Sequence, residues 1–304
     1  MSRKRNSRQG DVVDGILLLD KPAGITSNAA LQKAKTLLNA RKGGHTGSLD
    51  PIATGLLPLC FGETTKLAGF FLDSDKVYWA RLRLGQTTDT GDSEGKLLAE
   101  HPVPSNRKVI EEALGRFRGE IEQIPPMFSA VKVKGQPLYQ LAREGKEIDR
   151  PPRRVVVHRL ELLNLKGMEI EIELHCSHGF YVRRLAQDLG EVLGCGGHVT
   201  SLRRLKVAGL RVNDAVTLDQ LEKLVSPALR RQKLIVGDQA LSHIPIVDLS
   251  VDAAFYLCRG EPVRATDLPA GGWVRLYSRD AGFLGVGTVT DDGRVAPRRL
   301  VAST

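Results

Sequence analysis

Residues 169–176 alternate without a break. Ile170, Ile172, Leu174 and Cys176 fall on one face; Glu169, Glu171, Glu173 and His175 fall on the other. A period of two predicts a strand with one face in a core and one toward water. Residues 77–85 repeat the pattern, setting Val77, Trp79, Arg81 and Arg83 against Tyr78, Ala80, Leu82 and Leu84. Gly15-Ile16-Leu17-Leu18-Leu19 does not alternate. Its length and the Lys21-Pro22 beyond it predict a short buried strand. Helical spacing recurs further along. Leu31, Ala34, Leu37 and Leu38 share a face of a helix predicted over 27–40, with Ser27 as cap and Lys33 and Lys35 toward solvent. A second helix is predicted from Ser105, with Val109, Ile110, Ala113, Leu114 and Phe117 at helical spacing. Val182, Leu185, Ala186, Leu189, Val192 and Leu193 stripe a third, which Gly194 stops. Thr217 and Gln220 form a capping-box pattern before Leu218, Leu221 and Leu224. From about residue 249 the chain turns to short strands over 271–277 and 282–289 between Gly and Asp turns. Asp291-Asp292-Gly293 is a tight-turn signal there. A small β-rich domain, joined after Pro245, is predicted.

Composition narrows the class. The 304 residues suit one large domain or two ordinary ones. A net charge of +9 points to a polyanion, most simply nucleic acid, with a merely basic solvated surface as the alternative. The four cysteines, Cys60, Cys176, Cys195 and Cys258, form no CxxC pair, which speaks against a disulfide framework or zinc knuckle. No apolar run approaches the roughly 20 residues of a membrane span. Residues 1–10 are basic and polar with no apolar run behind them. They read as a disordered basic arm, and cytoplasmic residence is expected. Residues 125–154 gather Lys132, Lys134, Arg143, Lys146, Arg150, Arg153 and Arg154 around two Pro-Pro pairs. That stretch reads as a basic excursion that grips phosphates, or as a solvated surface loop.

Candidate chemistry centres on Gly43-Gly44-His45-Thr46-Gly47-Ser48-Leu49-Asp50-Pro51. Pro51 pushes Asp50 toward an extended conformation, and the glycines permit sharp turns or close approach. The loop therefore either presents the Asp50 carboxylate to a ligand or forms a turn in which Asp50 bonds its own backbone. Other chemistries fall away. Gly62-Glu63-Thr64-Thr65-Lys66 lacks the Gly-Lys-Ser/Thr adjacency of a phosphate-binding loop. His45, Ser48 and Asp50 sit on one loop without GxSxG, unlike a hydrolase triad. In His175-Cys176-Ser177-His178 the two histidines lie on opposite strand faces, so a zinc reading is set aside. One carboxylate with basic surfaces suits work on an electrophilic carbon of a nucleotide. A base inside folded RNA must be extruded and stacked, for which Tyr78 and Tyr181 are candidates.

Several ordered motifs carry a family resemblance. Gly44-His45-Thr46-Gly47-Ser48-Leu49-Asp50-Pro51-Ile52-Ala53-Thr54-Gly55-Leu56-Leu57-Pro58 resembles the signature of the TruB family of tRNA pseudouridine synthases. Gly15-Ile16-Leu17-Leu18-Leu19-Asp20-Lys21-Pro22 is similar to the family's opening strand. Leu84-Gly85-Gln86-Thr87-Thr88-Asp89-Thr90, Gly179-Phe180-Tyr181-Val182-Arg183 and Leu202-Arg203-Arg204-Leu205 match further motifs. The C-terminal stretch, ending in Gly293-Arg294-Val295-Ala296-Pro297-Arg298-Arg299, resembles a PUA RNA-binding domain. The resemblance spans nearly the whole chain after the first ten residues.

It implies an α+β pseudouridine synthase fold: a largely antiparallel mixed sheet with flanking helices, then a small C-terminal PUA-like β-barrel. The implied division is a catalytic domain over 11–246, with 125–154 as a clamp on the T-loop, and an RNA-binding domain over 247–304. The implied reaction isomerises uridine-55 of the tRNA T-loop to pseudouridine without cofactor or metal. The resemblance implies Asp50 as the catalytic carboxylate and Arg183 as its ionic partner. Tyr78 would be the platform for the flipped base, Tyr181 a pocket lining and Leu202 an apolar wall. His45 would brace the gap left by the base, and Lys66 would add a charge near the active-site loop. A monomer acting on the tRNA T-stem-loop, with no protein partner and no membrane, is expected. A tRNA folding helper and an RNA-guided synthase remain alternatives. Phe180 and Arg184 depart from the family pattern and are expected not to touch the chemistry.

Overall fold

The computed structural model describes residues 10–104, 106–129, 131–133 and 135–301. Apart from Gly10, the N-terminal arm lies outside them. The principal elements of the first part are β1 (Gly15–Lys21), α1 (Ser27–Leu37), β2 (Gly43–His45), β3 (Thr54–Phe61), β4 (Lys76–Leu84), α2 (Arg107–Gly115) and β5 (Gly119–Gln123). There follow β6 (Arg153–Lys166), β7 (Glu169–Cys176), α3 (Val182–Val192), β8 (Gly197–Val207), β9 (Val216–Thr217), α4 (Leu218–Lys223) and β10 (Leu234–Ile235). One sheet carries the order β9-β1-β3-β8-β4-β7-β6-β5, with β2 on β3 and β10 on β1. Its β1–β9 and β3–β8 junctions are parallel. The remaining pairs along that order are antiparallel. This is the mixed, largely antiparallel α+β sheet the resemblance implies.

The patterning explains the layers. In β7, Ile170, Ile172, Leu174 and Cys176 are fully buried. The opposite face pairs Glu171 with Arg81 of β4 at 2.9 Å. The unbroken run of β1 has a different cause. Leu17 and Leu19 enter the core beneath α1 and α3, whereas Ile16 and Leu18 enter a second core with Leu56, Cys60, Leu241 and Val286. A strand buried on both faces has no polar side to show.

Helix ends differ from the prediction in small ways. Thr26, not Ser27, caps α1, its hydroxyl accepting from the Ala29 N–H at 3.1 Å. Ser27 turns inward instead. The helix closes at Leu37, and Asn39 follows with φ +50°, a left-handed conformation that Asn tolerates. Asn106 caps α2; Ser105 lies outside the described residues. The Thr217–Gln220 capping box on α4 is present in both directions, at 2.8 and 3.1 Å.

The C-terminal elements are β11 (Ile246–Leu249), α5 (Val251–Leu257), β12 (Gly272–Ser278), β13 (Gly282–Val289) and β14 (Val295–Leu300). They form a four-stranded sheet in the order β11-β12-β13-β14 around Val247, Leu257, Val274 and Leu276. Among the described residues β11 and β14 do not pair, so the unit is an open sheet where a barrel was expected. Closure requires the two edge strands to pair, and at Val295 β14 bridges Val263 instead. The unit leans on the larger sheet through Val286 and through Trp273, whose ring meets Phe70 edge-on at 4.7 Å. The excursion over 125–154 holds a short hairpin, Lys132–Val133 with Gln136–Pro137, and a helix at Leu138–Arg143. Arg150 donates to the Pro125 carbonyl at 3.2 Å and so ties its two ends together. Among the described residues no helix is long and apolar enough to cross a membrane.

Candidate active site

The loop between β2 and β3 is held from three sides. The Thr46 N–H and hydroxyl both donate to the Pro58 carbonyl, at 3.1 and 3.2 Å. The Ser27 hydroxyl accepts from the Leu49 N–H at 2.7 Å and donates to the Leu49 carbonyl at 3.1 Å. The Ala53 N–H closes a turn onto the Asp50 carbonyl at 3.0 Å, with Pro51 at the second position that prolines favour. Lys21 is fully buried and donates to the carbonyls of Ile25 (2.7 Å), Pro22 (2.9 Å) and Pro51 (3.4 Å). Burial pulls its ammonium down to about 8, and the nearby Asp50 charge opposes that pull. Gly55 has φ +100°, and a Cβ there would lie 2.4 Å from the Arg204 carbonyl oxygen. Only glycine lets β3 approach β8 this closely.

The Asp50 side chain does not fold back on its own turn. It reaches Arg183, at the start of α3, which grips both carboxylate oxygens: Nη2 to Oδ1 at 3.1 Å and Nε to Oδ2 at 2.9 Å. Arg183 is itself held, donating to the carbonyls of Thr90 (3.2 Å) and Phe128 (2.6 Å). Its Nε lies 3.7 Å from buried Asp92, whose carboxylate accepts from the Thr90 hydroxyl at 2.6 Å and the Glu94 N–H at 3.1 Å. Burial raises the Asp50 pKa above the usual carboxylate value. The Arg183 guanidinium opposes this rise, and the like charge on Asp92 adds to it. The result is a partly exposed carboxylate in a poor solvent, kept ionisable chiefly by Arg183 and in smaller part by Lys21.

Asp50 and Arg183 face a cleft of about 430 Å³, within the range of small-molecule sites. Tyr78, Tyr181, Leu202 and His45 line it, and so do Phe180, Lys76 and Arg204. A second hollow of about 490 Å³ opens on the other side of Asp50, past Thr90, Asp92 and Phe128. Tyr181 is fixed through its backbone, its N–H donating to Gln123 Oε1 at 3.0 Å. Burial raises the pKa of both tyrosines, keeping the hydroxyls protonated; Arg204 works against this at Tyr78. His45 is shifted downward, chiefly by burial and further by Arg204. Its Nδ1 is buried and has no hydrogen-bond partner among the described residues.

Lys66 is not brought to the cleft. It pairs with Glu63 at 2.5 Å, exposed on a short helix after β3. The cations that act on Asp50 are instead Arg183 and Lys21, and Arg204 lines the same cleft. Sequence reasoning had quoted Lys21 and Arg204 in motifs without giving them a place in the site. Arg204 could have been found from strand period, since it shares the buried face of β8 with Leu202. Its Nε donates to the Leu56 carbonyl at 2.7 Å. Lys76 is likewise buried and pulled down to about 8 by burial, with its ammonium on the carbonyls of Leu72 and Ser74. Asp92 sat in a polar turn with nothing to distinguish it.

Comparison with known proteins decides the family. The model described as "TruB family pseudouridylate synthase (N terminal domain)" matches residues 35–182. "tRNA pseudouridylate synthase B C-terminal domain" matches 183–236, and "Pseudouridine synthase II TruB, C-terminal" matches 245–301. A protein of Pseudomonas aeruginosa named tRNA pseudouridine synthase B is 51% identical over 96% of this chain and 97% of its own. The chain belongs to the TruB family. A protein of the same name from Nitrosococcus oceani is 49% identical over 99% of both chains. Solved structures add the fold. A chain from a Cbf5-Nop10-Gar1 complex superposes with TM-score 0.70 at 23% identity, covering 96% of this chain and 84% of its own. One from an H/ACA RNP bound to a substrate RNA containing 2′-deoxyuridine gives 0.71 at 20%, covering 98% and 92%. Of the two residues expected to depart from the family pattern, Arg184 pairs with Asp188 at 2.6 Å. Phe180 is nearly buried and lines the cleft, where no contact with the chemistry was expected.

Proposed function

We propose that this TruB enzyme converts uridine-55 in the T-loop of tRNA to pseudouridine. The observation that carries the reading is the two-point grip of Arg183 on Asp50 at a cleft wide enough for one extruded nucleotide. The reaction breaks the N1–C1′ bond and forms a C5–C1′ bond. N1 takes up a proton and C5 loses one, so no oxidant, reductant or cofactor is consumed. Asp50, ionised, acts on the ribose as the uracil departs, and Arg183 orients it and holds its charge. Tyr78 stacks on the flipped base, a contact of about 1–3 kcal/mol. Leu202, Phe180 and Tyr181 exclude water around it. His45, its ring neutral, braces the gap in the T-loop, with its unpartnered Nδ1 free to bond the RNA.

The excursion over 125–154 clamps the T-loop, and residues 247–304 hold the remainder of the tRNA by charge. Lys66 then serves as a phosphate contact or a surface ion pair and not as part of the reacting centre. A monomer working in the cytoplasm without a protein partner completes the proposal. The identity to proteins named tRNA pseudouridine synthase B is twice that to the Cbf5 chains, which favours tRNA over an RNA-guided substrate.

The test is tritium release from C5-labelled uridine in a T-stem-loop, comparing wild type with Asp50→Asn. Release by wild type alone, with both proteins binding the RNA equally, supports the reading. Turnover by a clean Asp50→Asn preparation would sink it. RNA binding without release by either protein would point to the folding-helper alternative.

A further inference from the structure

We infer that Asp75, His158 and His175 form a surface site for a divalent transition-metal ion of the zinc class. His175 is the exposed-face histidine of β7. Sequence alone offered it only His178 as a partner, from the wrong face. The structure supplies a different one from β6. There Val157 pairs with Cys176 and Arg159 with His175, so His158 is the extra residue of a β-bulge. A bulge breaks strict alternation and re-aims a side chain, and here it brings His158 onto the face of His175. The rings stand 4.7 Å apart, centroid to centroid. Asp75, in the loop entering β4, completes the set.

Both imidazoles direct Nε2 at the same carboxylate oxygen, Asp75 Oδ2, from 3.1 Å for His158 and 3.6 Å for His175. The three ligand atoms lie within 4.8 Å of one another. With bonds of about 2.0–2.1 Å, the edge of a tetrahedral zinc site is about 3.3–3.4 Å, so two edges are already near their final length. Two imidazoles and one carboxylate suit Zn2+, Co2+, Ni2+ or Cu2+ and not Mg2+ or Ca2+, which take oxygen ligands. The three side chains are 47, 39 and 40% exposed, which leaves an entry path and room for water as further ligands. The ion takes no part in the isomerisation. It joins the 73–75 loop, whose flanks Leu72 and Lys76 line the cleft, to the β6–β7 pair, and so stiffens one wall.

The experiment titrates ZnSO4 into tag-free, chelator-treated full-length protein by calorimetry, with Co2+ visible absorption as a second readout. One equivalent bound is expected. His158→Ala and His175→Ala should each weaken binding at least tenfold and abolish the Co2+ spectrum. Cys258→Ser, which removes an exposed thiol elsewhere, should leave both unchanged. If an alanine variant loses its fold by circular dichroism, the Gln variant at the same position replaces it. Absence of stoichiometric binding by wild type overturns the site. So does binding that survives both histidine substitutions, or that disappears with Cys258→Ser.

Discussion

Replacing Arg183 tests the electrostatics of the cleft directly. Arg183→Met removes the cation but keeps an unbranched apolar stem. It leaves Asp50 beside Asp92 with Lys21 as the remaining nearby cation. Removing one partner of a buried pair costs about 3–5 kcal/mol. The Asp50 side chain is 36% exposed, so water makes good part of the loss. We therefore expect about 2–4 kcal/mol of transition-state stabilisation to be lost, or roughly 30- to 1000-fold in rate. Arg183→Lys keeps the charge and loses the fork, and should fall between Met and wild type. The assay is single-turnover isomerisation at saturating enzyme across the pH range, with urea unfolding run alongside. Loss of the donors to Thr90 and Phe128 will lower stability as well. The sign with pH follows from the causes acting on Asp50. Burial and Asp92 raise its pKa and Arg183 lowers it, so deleting Arg183 moves the acid limb of the profile to higher pH. The Met defect should thus be larger at pH 6 than at pH 8. A Met variant within about threefold of wild type throughout, or an acid limb moved to lower pH, would refute the reasoning.

Tyr78→Leu should cut single-turnover rate by about one to two orders of magnitude through lost stacking, whereas Tyr78→Phe keeps the ring and loses only what the hydroxyl does. Equal rates for the two variants would remove stacking from its role. Gly55→Ala should destabilise the fold by at least about 2 kcal/mol in urea unfolding, since it meets both a positive φ and the Arg204 backbone. Lys66→Ala should leave the chemical step within twofold of wild type and change stability by no more than about 1 kcal/mol. A hundredfold loss at saturating enzyme would return Lys66 to the reacting centre.

Period and punctuation made much of this molecule legible. The alternation in 169–176 and 77–85 located two central strands of the sheet, and the Asp50-Pro51 loop announced itself by its glycines. What stayed hidden was pairing at a distance. Nothing local says that Arg183 will meet Asp50, or that Asp92 will stand behind it; those contacts depend on α3 docking against β8. Closeness in sequence to a functional loop does not put Lys66 in the cleft, since its ammonium pairs with Glu63. Lys21 was under-read because a lysine at a strand end looks like a surface residue, yet its ammonium is spent on backbone carbonyls under the catalytic turn. The second core was invisible for the same reason, since Ile16 and Val286 come together only after the sheet has formed.

Strand β1 carries a consequence for how the chain matures during synthesis. Its partner on one side, β3, follows closely, but Ile16 and Leu17 also pair with Ile235 and Leu234, and Leu19 with Val216. At about 5–20 residues added per second, that second flank reaches the ribosome exit on the order of ten to forty seconds after β1 itself. Through that interval an apolar strand has an open edge. An enzyme laid out this way depends on its last third to finish its first strand, and a nascent chain stalled before β10 is a natural client for a chaperone.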